Sequence, residues 1–285
     1  MKKITLFLIG ALCSINLKSQ EKSILLKQEF KPNSKYEMII KTSVNGEMEF
    51  IGDEEFKKVL EKQLGSDKML MKSNNEISIS INTSDKKGNE TPFVWEYDIK
   101  ENSSSINGRE LPQKSKDALK NLEIIGKYIN DNEMNIEDIR SESMDESMRA
   151  MLKDMLKEMN YSVKFPTKEL KIGDTFTQEI PLKINIPSAG DMKFKIITNY
   201  KLSKIENKLA HFDLIQSFTL DSDIKMINMD ATGNGDGKAI FDFSENVMKS
   251  VITDLKMKMT VEIKENIKMI NNSSSHSEIL TQKIK

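Results

Sequence analysis

Residues 229–241 have the sequence MDATGNGDGKAIF, which places three glycines and two aspartates in a short span. A calcium loop is not indicated, because Gly237 and Phe241 stand where an aliphatic residue and a bidentate glutamate are expected. A phosphate loop is not indicated either, since the Lys-Ser/Thr pair and the helix that would hold the anion are missing. We expect neither ion at this stretch.

The stretch alternates with a period of two, which is typical of a β-strand with one dry and one wet face. The even positions from Asn228 to Lys238 are polar and face water. The inner positions are small or apolar and comprise Met229, Ala231, Gly233, Gly235, Gly237, Ala239 and Phe241. Glycines inside a strand mark a sharp bend or the close approach of another element or a ligand. We therefore predict one continuous strand whose bare inner face makes room for a helix, a ligand or both.

The same alternation recurs along much of the chain. It covers residues 36–50, 77–81, 93–99, 192–202, 210–220 and 247–263. Residues 122–139 predict a hairpin with Asp131 and Asn132 at its turn. Sustained one-sided alternation of this kind predicts a large antiparallel sheet whose outer face is exposed to water.

Three segments have helical spacing instead. Residues 53–65 begin at an acidic cap and end at a glycine, and residues 112–122 predict a shorter helix. A third helix starts where Ser143 and Glu146 have capping-box spacing. Its apolar stripe consists of Met144, Met148, Met151, Leu152, Met155, Leu156 and Met159. Such a stripe must be buried, and the dry face of the sheet is the available surface.

These elements predict an α+β protein. Its main feature is a large, curved, half-barrel-like antiparallel β-sheet whose concave face is covered by an amphipathic Met-rich helix and a shorter helix. We expect a single domain over residues 20–270, because no composition break or long linker divides the chain. Residues 271–285 are polar and predict a flexible tail.

The N-terminus has the form of a secretory signal peptide. Residues 1–19 begin with two lysines, continue with a short apolar run and end in a small, polar exit. We predict cleavage near Ser19-Gln20. An acylated Cys13 would make a lipoprotein instead, but Leu12 precedes it where such sites prefer Gly or Ala. The prediction is an exported protein, periplasmic or secreted.

The composition excludes several classes of function. The predicted signal peptide holds three of the 43 basic residues and none of the 44 acidic ones, so the mature chain is slightly acidic. Such near balance provides no basic field for nucleic acid. Cys13 is the one cysteine, so cleavage excludes disulfides and cysteine metal ligands. No later segment has an apolar run long enough to span a membrane, and we expect a soluble mature protein.

The sequence offers little support for catalysis. His211 and His276 are the two histidines, and the sequence contains neither a Gly-x-Ser-x-Gly nor a His-Glu-x-x-His motif. Carboxylate pairs such as Asp221 and Asp223 fit solvated strand faces. A carboxylate-pair hydrolase stays open, because pairing in space is not visible in sequence spacing. We predict a non-enzyme with no catalytic residue, no metal and no cofactor.

Methionine is unusually frequent, at 18 of 285 residues. Thioethers bind Cu(I), but copper sites usually add histidine or cysteine, so we favour packing in the core. A third interpretation is an adaptable pocket, since flexible methionine surfaces accept varied apolar ligands. The methionines on predicted inner strand faces are Met38, Met48, Met192, Met229, Met257 and Met259.

Three stretches carry a resemblance to a known family. They are LKIGDTFTQEIPL at 170–182, KIITNYKLSKIENKLAHFDL at 195–214 and GNGDGKAIFDF at 233–243. On these stretches the chain resembles a family of secreted Bacteroidetes proteins described as a domain of unknown function. It is also similar, at the level of fold, to the half-barrels of periplasmic lipoprotein-localisation factors. In those proteins a coiled antiparallel sheet folds over a helical lid and shelters acyl chains.

We expect that the concave face is a pocket and that the protein binds or carries an apolar molecule, such as a lipid or a lipoprotein acyl chain, between sheet and helix. The similarity to the half-barrels favours this function without assigning it. The residues expected to line that pocket are Met148, Met151, Met155, Met229, Gly233, Gly235 and Gly237. The alternative is a structural or interaction protein of the cell envelope whose core is solidly packed and holds no ligand. An apolar cavity of roughly 300–1,000 Å³ between sheet and helix would favour carriage.

Overall fold

The computed structural model describes residues 23–112, 121–129, 133–162, 165–186, 190–222, 228–264 and 266–284. The helices are α1 (Glu54–Leu64) and α2 (Glu146–Ser162). The strands are β1 (Ser23–Ile24), β2 (Lys35–Ile51), β3 (Lys68–Thr83), β4 (Glu90–Ile106), β5 (Arg109–Glu110), β6 (Glu123–Ile129), β7 (Glu133–Arg140), β8 (Leu170–Lys171), β9 (Thr175–Ile186), β10 (Gly190–Glu206), β11 (Leu209–Ser222), β12 (Asn228–Asp242), β13 (Val247–Lys264) and β14 (Ile267–Lys283). The predicted signal peptide, the turn at Asp131 and Asn132 and most of the helix predicted at 112–122 lie outside the described residues.

One 12-stranded antiparallel sheet dominates the molecule. Its order is β7-β6-β4-β3-β2-β14-β13-β12-β11-β10-β9, with β5 paired to β4. β1 and β8 form a separate two-stranded sheet. Asn207 and Lys208, which connect β10 to β11, both have positive φ, as tight hairpin turns require. The predicted α+β class with a large antiparallel sheet is confirmed.

The sheet is strongly curled, because α2 contacts both of its edge strands, β7 and β9. Eleven strands in line would form a flat sheet roughly 48 Å wide at about 4.8 Å per spacing. A helix of 17 residues is only about 25 Å long and about 10 Å across. The two edges must therefore approach each other, and the described sheet encloses a concave inner face with α2 at its opening.

The strand β14 lies at the centre of the sheet, and the predicted tail at residues 271–285 is wrong. β14 pairs with β2 from Lys268 to Lys283, and it pairs with β13 along most of its length. Its backbone groups are thus hydrogen-bonded on both sides, which satisfies them without any apolar side chain. A polar segment therefore joins the two halves of the sheet.

Two packed clusters fill the inner face at the end remote from α1, which we call the packed end. The first includes Tyr36, Ile79, Ile81, Phe93, Ile124, Tyr128, Met144 and Leu156. The second includes Ile24, Leu26, Leu202, Phe212, Leu214 and Phe241. Water is excluded from this end, and burial raises the pKa of Tyr97 and that of Tyr200 to about 12. Burial of this apolar surface is the main source of stability in the described part of the chain.

The two helices begin at aspartate caps. The Asp53 side chain accepts a hydrogen bond from the Phe56 backbone N–H at 2.8 Å, which confirms the predicted start of α1. Asp145, not Ser143, caps α2, because its carboxylate accepts from the Met148 N–H at 2.8 Å. The capping box predicted from Ser143 is therefore wrong. Neither helix in the described ranges is long and apolar enough to cross a membrane.

Three glycines of β12 allow its backbone to approach β13 closely. A Cβ on Gly235 would lie 2.3 Å from the carbonyl oxygen of Asp254. One on Gly237 would lie 2.2 Å from that of Ile252, and one on Gly233 would lie 2.8 Å from the β13 backbone. All three distances are shorter than van der Waals contact, so only glycine fits here. The sequence predicted that this bare face makes room for a helix or a ligand, whereas in the structure the backbone of the neighbouring strand β13 approaches it.

We expect Gly235→Ala to lower the free energy of unfolding by about 1–3 kcal/mol, because the added methyl group overpacks the contact with Asp254. Gly46→Ala is the matched control on the inner face of β2, where a Cβ would meet no atom closer than 3.4 Å. Its effect should stay within about 1 kcal/mol. Urea denaturation of both variants measures the difference in stability. Equal denaturation midpoints would contradict the requirement for glycine where β12 approaches β13.

Candidate functional site

The inner face changes character towards the end that carries α1. Its side chains there are mainly methionines on five neighbouring strands. We call this group the methionine surface, and its members are Met48, Met69, Met71, Met229, Met257, Met259 and Met269. All are half-buried, and among the described residues none belongs to the two packed clusters. Since methionine is flexible and polarisable, such a surface adapts to the shape of what contacts it.

A belt of polar side chains separates the methionine surface from the packed end. The Ser73 and Ser104 hydroxyls are hydrogen-bonded at 3.1 Å, and the Gln216 amide donates to the Thr198 hydroxyl at 3.1 Å. Thr198 and Gln178 are buried. Buried polar groups are tolerated when they are hydrogen-bonded, so this belt divides the inner face without disrupting it.

An open depression of about 750 Å³ crosses β3, β2, β14, β13 and β12. Its middle row consists of Met71, Gly46, Ser273, Met257 and Gly233. The residues of the two flanking rows have their side chains on the exposed face of the sheet, and they include Lys72, Lys256 and Lys258. Strand residues alone line it in the described structure. It is therefore not the apolar cavity between sheet and helix that would favour carriage.

The predicted pocket residues of β12 have different surroundings. Met229 belongs to the methionine surface, and Gly233 lines the depression. The space over Gly235 and Gly237 is occupied by the backbone of β13. These two glycines therefore shape the sheet and leave no room there for a ligand.

The predicted pocket residues of α2 lie on an exposed part of the helix. Met148, Met151 and Met155 are 38%, 57% and 40% exposed, whereas Met144 and Leu156 are buried in the first packed cluster. α2 packs against β7 and β9, not against the glycines of β12. The structure therefore does not bring the two predicted halves of the pocket together.

Some residues of the methionine surface were not predicted from the sequence. Met69 and Met71 lie in the run KMLMK, which alternates with a period of two. Leu70 obscures that signal, because it is apolar yet 55% exposed. Met269 was missed since it belongs to β14, whose Asn/Ser-rich centre was interpreted as part of a tail.

The described residues contain no cluster of three or more His, Cys, Asp or Glu groups suited to a metal ion. His276 of β14 lies between two carboxylates, with Nδ1 2.8 Å from Asp254 and Nε2 3.2 Å from Glu278. Hydrogen bonds to Asp254 and then to Glu278 raise the pKa of the His276 imidazole above its ordinary value. This arrangement cross-links β13 and β14 on the exposed face.

Comparisons with known proteins assign no family to the chain. No protein-family profile and no curated protein matches it. Among solved structures, the crystal structure of OpdQ from Pseudomonas aeruginosa aligns with 88% of this chain and 98% of its own, at 8% identity and a TM-score of 0.21. That TM-score establishes no shared fold, so nothing is carried over from OpdQ. The resemblance to the secreted Bacteroidetes family stays a prediction.

The cross-link at His276 should contribute stability that depends on pH. Because the folded-state pKa is raised, the contribution is complete below the unfolded value of about 6.5 and is lost as pH rises through the folded pKa. At acidic pH we expect the free energy of unfolding of the wild-type protein to be higher than that of His276→Gln by no more than about 1 kcal/mol, since the imidazole is exposed. Urea denaturation of both proteins at about pH 5.5 and about pH 9 measures this difference in unfolding free energy. The same difference at both pH values would contradict a pH-dependent contribution of His276.

Proposed function

We propose that the protein binds an apolar molecule, such as a lipid or an acyl chain, on the methionine surface. The supporting observation is that this part of the inner face is half-buried and lies outside the packed clusters. A contiguous, partly exposed apolar surface on a folded protein commonly marks a binding site. Methionine side chains suit chains of variable length and saturation, because they repack at little cost.

We propose further that the protein acts outside the cytoplasm and without catalysis. The signal-peptide pattern of residues 1–19 supports export, and the resemblance to secreted Bacteroidetes proteins agrees with it. Exposure of a free acyl chain to water has a free-energy cost of about 0.8 kcal/mol per CH₂ group. A protein surface that shelters part of the chain makes its passage through water less costly.

A structural or interaction role in the cell envelope is the second candidate. It is favoured by the position of β13, which occupies the space over Gly235 and Gly237, and by the solid packing at the other end of the inner face. Under this hypothesis the methionine surface contacts a partner protein. The two candidates differ in whether a small molecule accompanies the protein when it is isolated.

Native mass spectrometry of the mature protein, extracted without detergent, tests the proposal directly. We expect a species heavier than the polypeptide, with the excess mass released as lipid on denaturation. A species with the bare polypeptide mass, from cells and after incubation with lipid vesicles, would contradict carriage and favour the structural role.

Binding of the fluorescent probe N-phenyl-naphthylamine locates the site. Met69→Gln should weaken probe affinity by about tenfold, since burying an uncompensated amide costs about 1–3 kcal/mol. Met151→Gln is the matched control on α2, where the side chain is 57% exposed, and it should leave the affinity unchanged. The reverse pattern would place the ligand on the helix and not on the strands. Urea denaturation confirms that both variants are folded.

A further inference from the structure

One polar side chain interrupts the methionine surface. Asn271 of β14 pairs with Met48 on β2 and with Met259 on β13, so it lies between two methionines in one cross-strand row. Its neighbours on the inner face of β14 are Met269 and Ser273. An amide thus stands among the methionines of this surface, with Ser273 as its polar neighbour on the same strand.

The amide oxygen of Asn271 is buried, and no donor in the described part of the chain lies within hydrogen-bond distance of it. Most buried polar side-chain atoms in proteins have a partner, and an unpaired one costs about 1–3 kcal/mol. The polar belt of the same inner face follows the rule, since Ser73 and Gln216 are paired. The stability of the free protein therefore gives no reason for an amide at this position.

Gly46 and Met71 are neighbours of this oxygen on the inner face. Asn271 Oδ1 and Met71 Cε each lie 3.4 Å from the point that a Cβ of Gly46 would occupy. The methionine methyl group and the amide oxygen therefore both border the space above the bare Cα of Gly46. Because methionine is unbranched and has three rotatable side-chain bonds, the Met71 methyl group can leave the space above Gly46 without movement of the backbone.

We propose that Asn271 is the polar anchor of the apolar site and accepts a hydrogen bond from a hydroxyl or amide N–H at the head of a single-chain amphiphile. The inference rests on the proposed function, with the chain of the ligand lying across the methionine surface. An ionised carboxylate head offers no donor to this oxygen, so the site selects neutral, donor-bearing heads. A site that hydrogen-bonds a ligand group rejects the analogue that lacks it, because its own buried group is then left unpaired.

Two probes with the same chain test this selection. Dodecanol donates a hydrogen bond and dodecyl methyl ether does not, and both displace N-phenyl-naphthylamine from the mature protein if they bind. We expect Asn271→Leu to lower the ratio of alcohol to ether affinity by about three- to tenfold, the effect of one neutral hydrogen bond, without weakening ether binding. Asn272→Leu, on the exposed face of the same strand, is the matched control and should keep the wild-type ratio.

The outcomes separate this inference from the proposed function. An unchanged ratio in Asn271→Leu, with both probes still bound, would overturn the anchor and leave apolar binding intact. Failure of the wild-type protein to bind either probe would overturn both. If urea denaturation shows that Asn271→Leu is not folded, Asn271→Met provides the same comparison, since it continues the surrounding methionines.

Discussion

At positions 235 and 237 of β12, a β-carbon would lie only 2.3 Å and 2.2 Å from carbonyl oxygens of β13, so these positions require glycine. This approach of two backbones lets one half of the sheet turn towards the other. With the sheet curled, β7 and β9 come close enough for a single helix to contact both edges. The inner face, its packed end and its methionine surface all depend on that curvature.

The inner face combines two kinds of packing that serve different purposes. At the packed end, aromatic and branched side chains interlock, and this rigidity stabilises the fold. Beyond the polar belt, unbranched thioethers replace them, and the same sheet presents a surface that tolerates several shapes. Polar groups follow the same division. Those of the belt are paired with each other, whereas the Asn271 oxygen has no partner among the described residues.

Alternation in residues 36–50 and 247–263 was sufficient to predict β2 and β13, because a strand with one wet face must alternate. The same rule missed β14, because backbone hydrogen bonds to strands on both sides stabilise it without an alternating pattern of apolar side chains. The apolar stripe of α2 predicted a helix, but its predicted burial is only partly correct, because Met144 and Leu156 are buried whereas Met151 is exposed. The buried side depends on where β7 and β9 meet the helix, and residue spacing does not encode it. Asn271 was likewise hidden, because its position among methionines arises only from cross-strand register.

The place of β14 also constrains how the chain folds. Tyr36 of β2 pairs with Lys283 of β14, so the seam at the centre of the sheet joins segments that are far apart in the sequence. The other neighbouring strands of the sheet are close in sequence. Each half of the sheet can form from strands that are neighbours in the sequence. β2 and β13 each keep an unpaired edge until β14 pairs with them. Long-range closure of this kind is slow, and open edges invite pairing with other chains. Pairing of the 17-residue strand β14 with both neighbours therefore closes these edges and ends a period of vulnerability to aggregation.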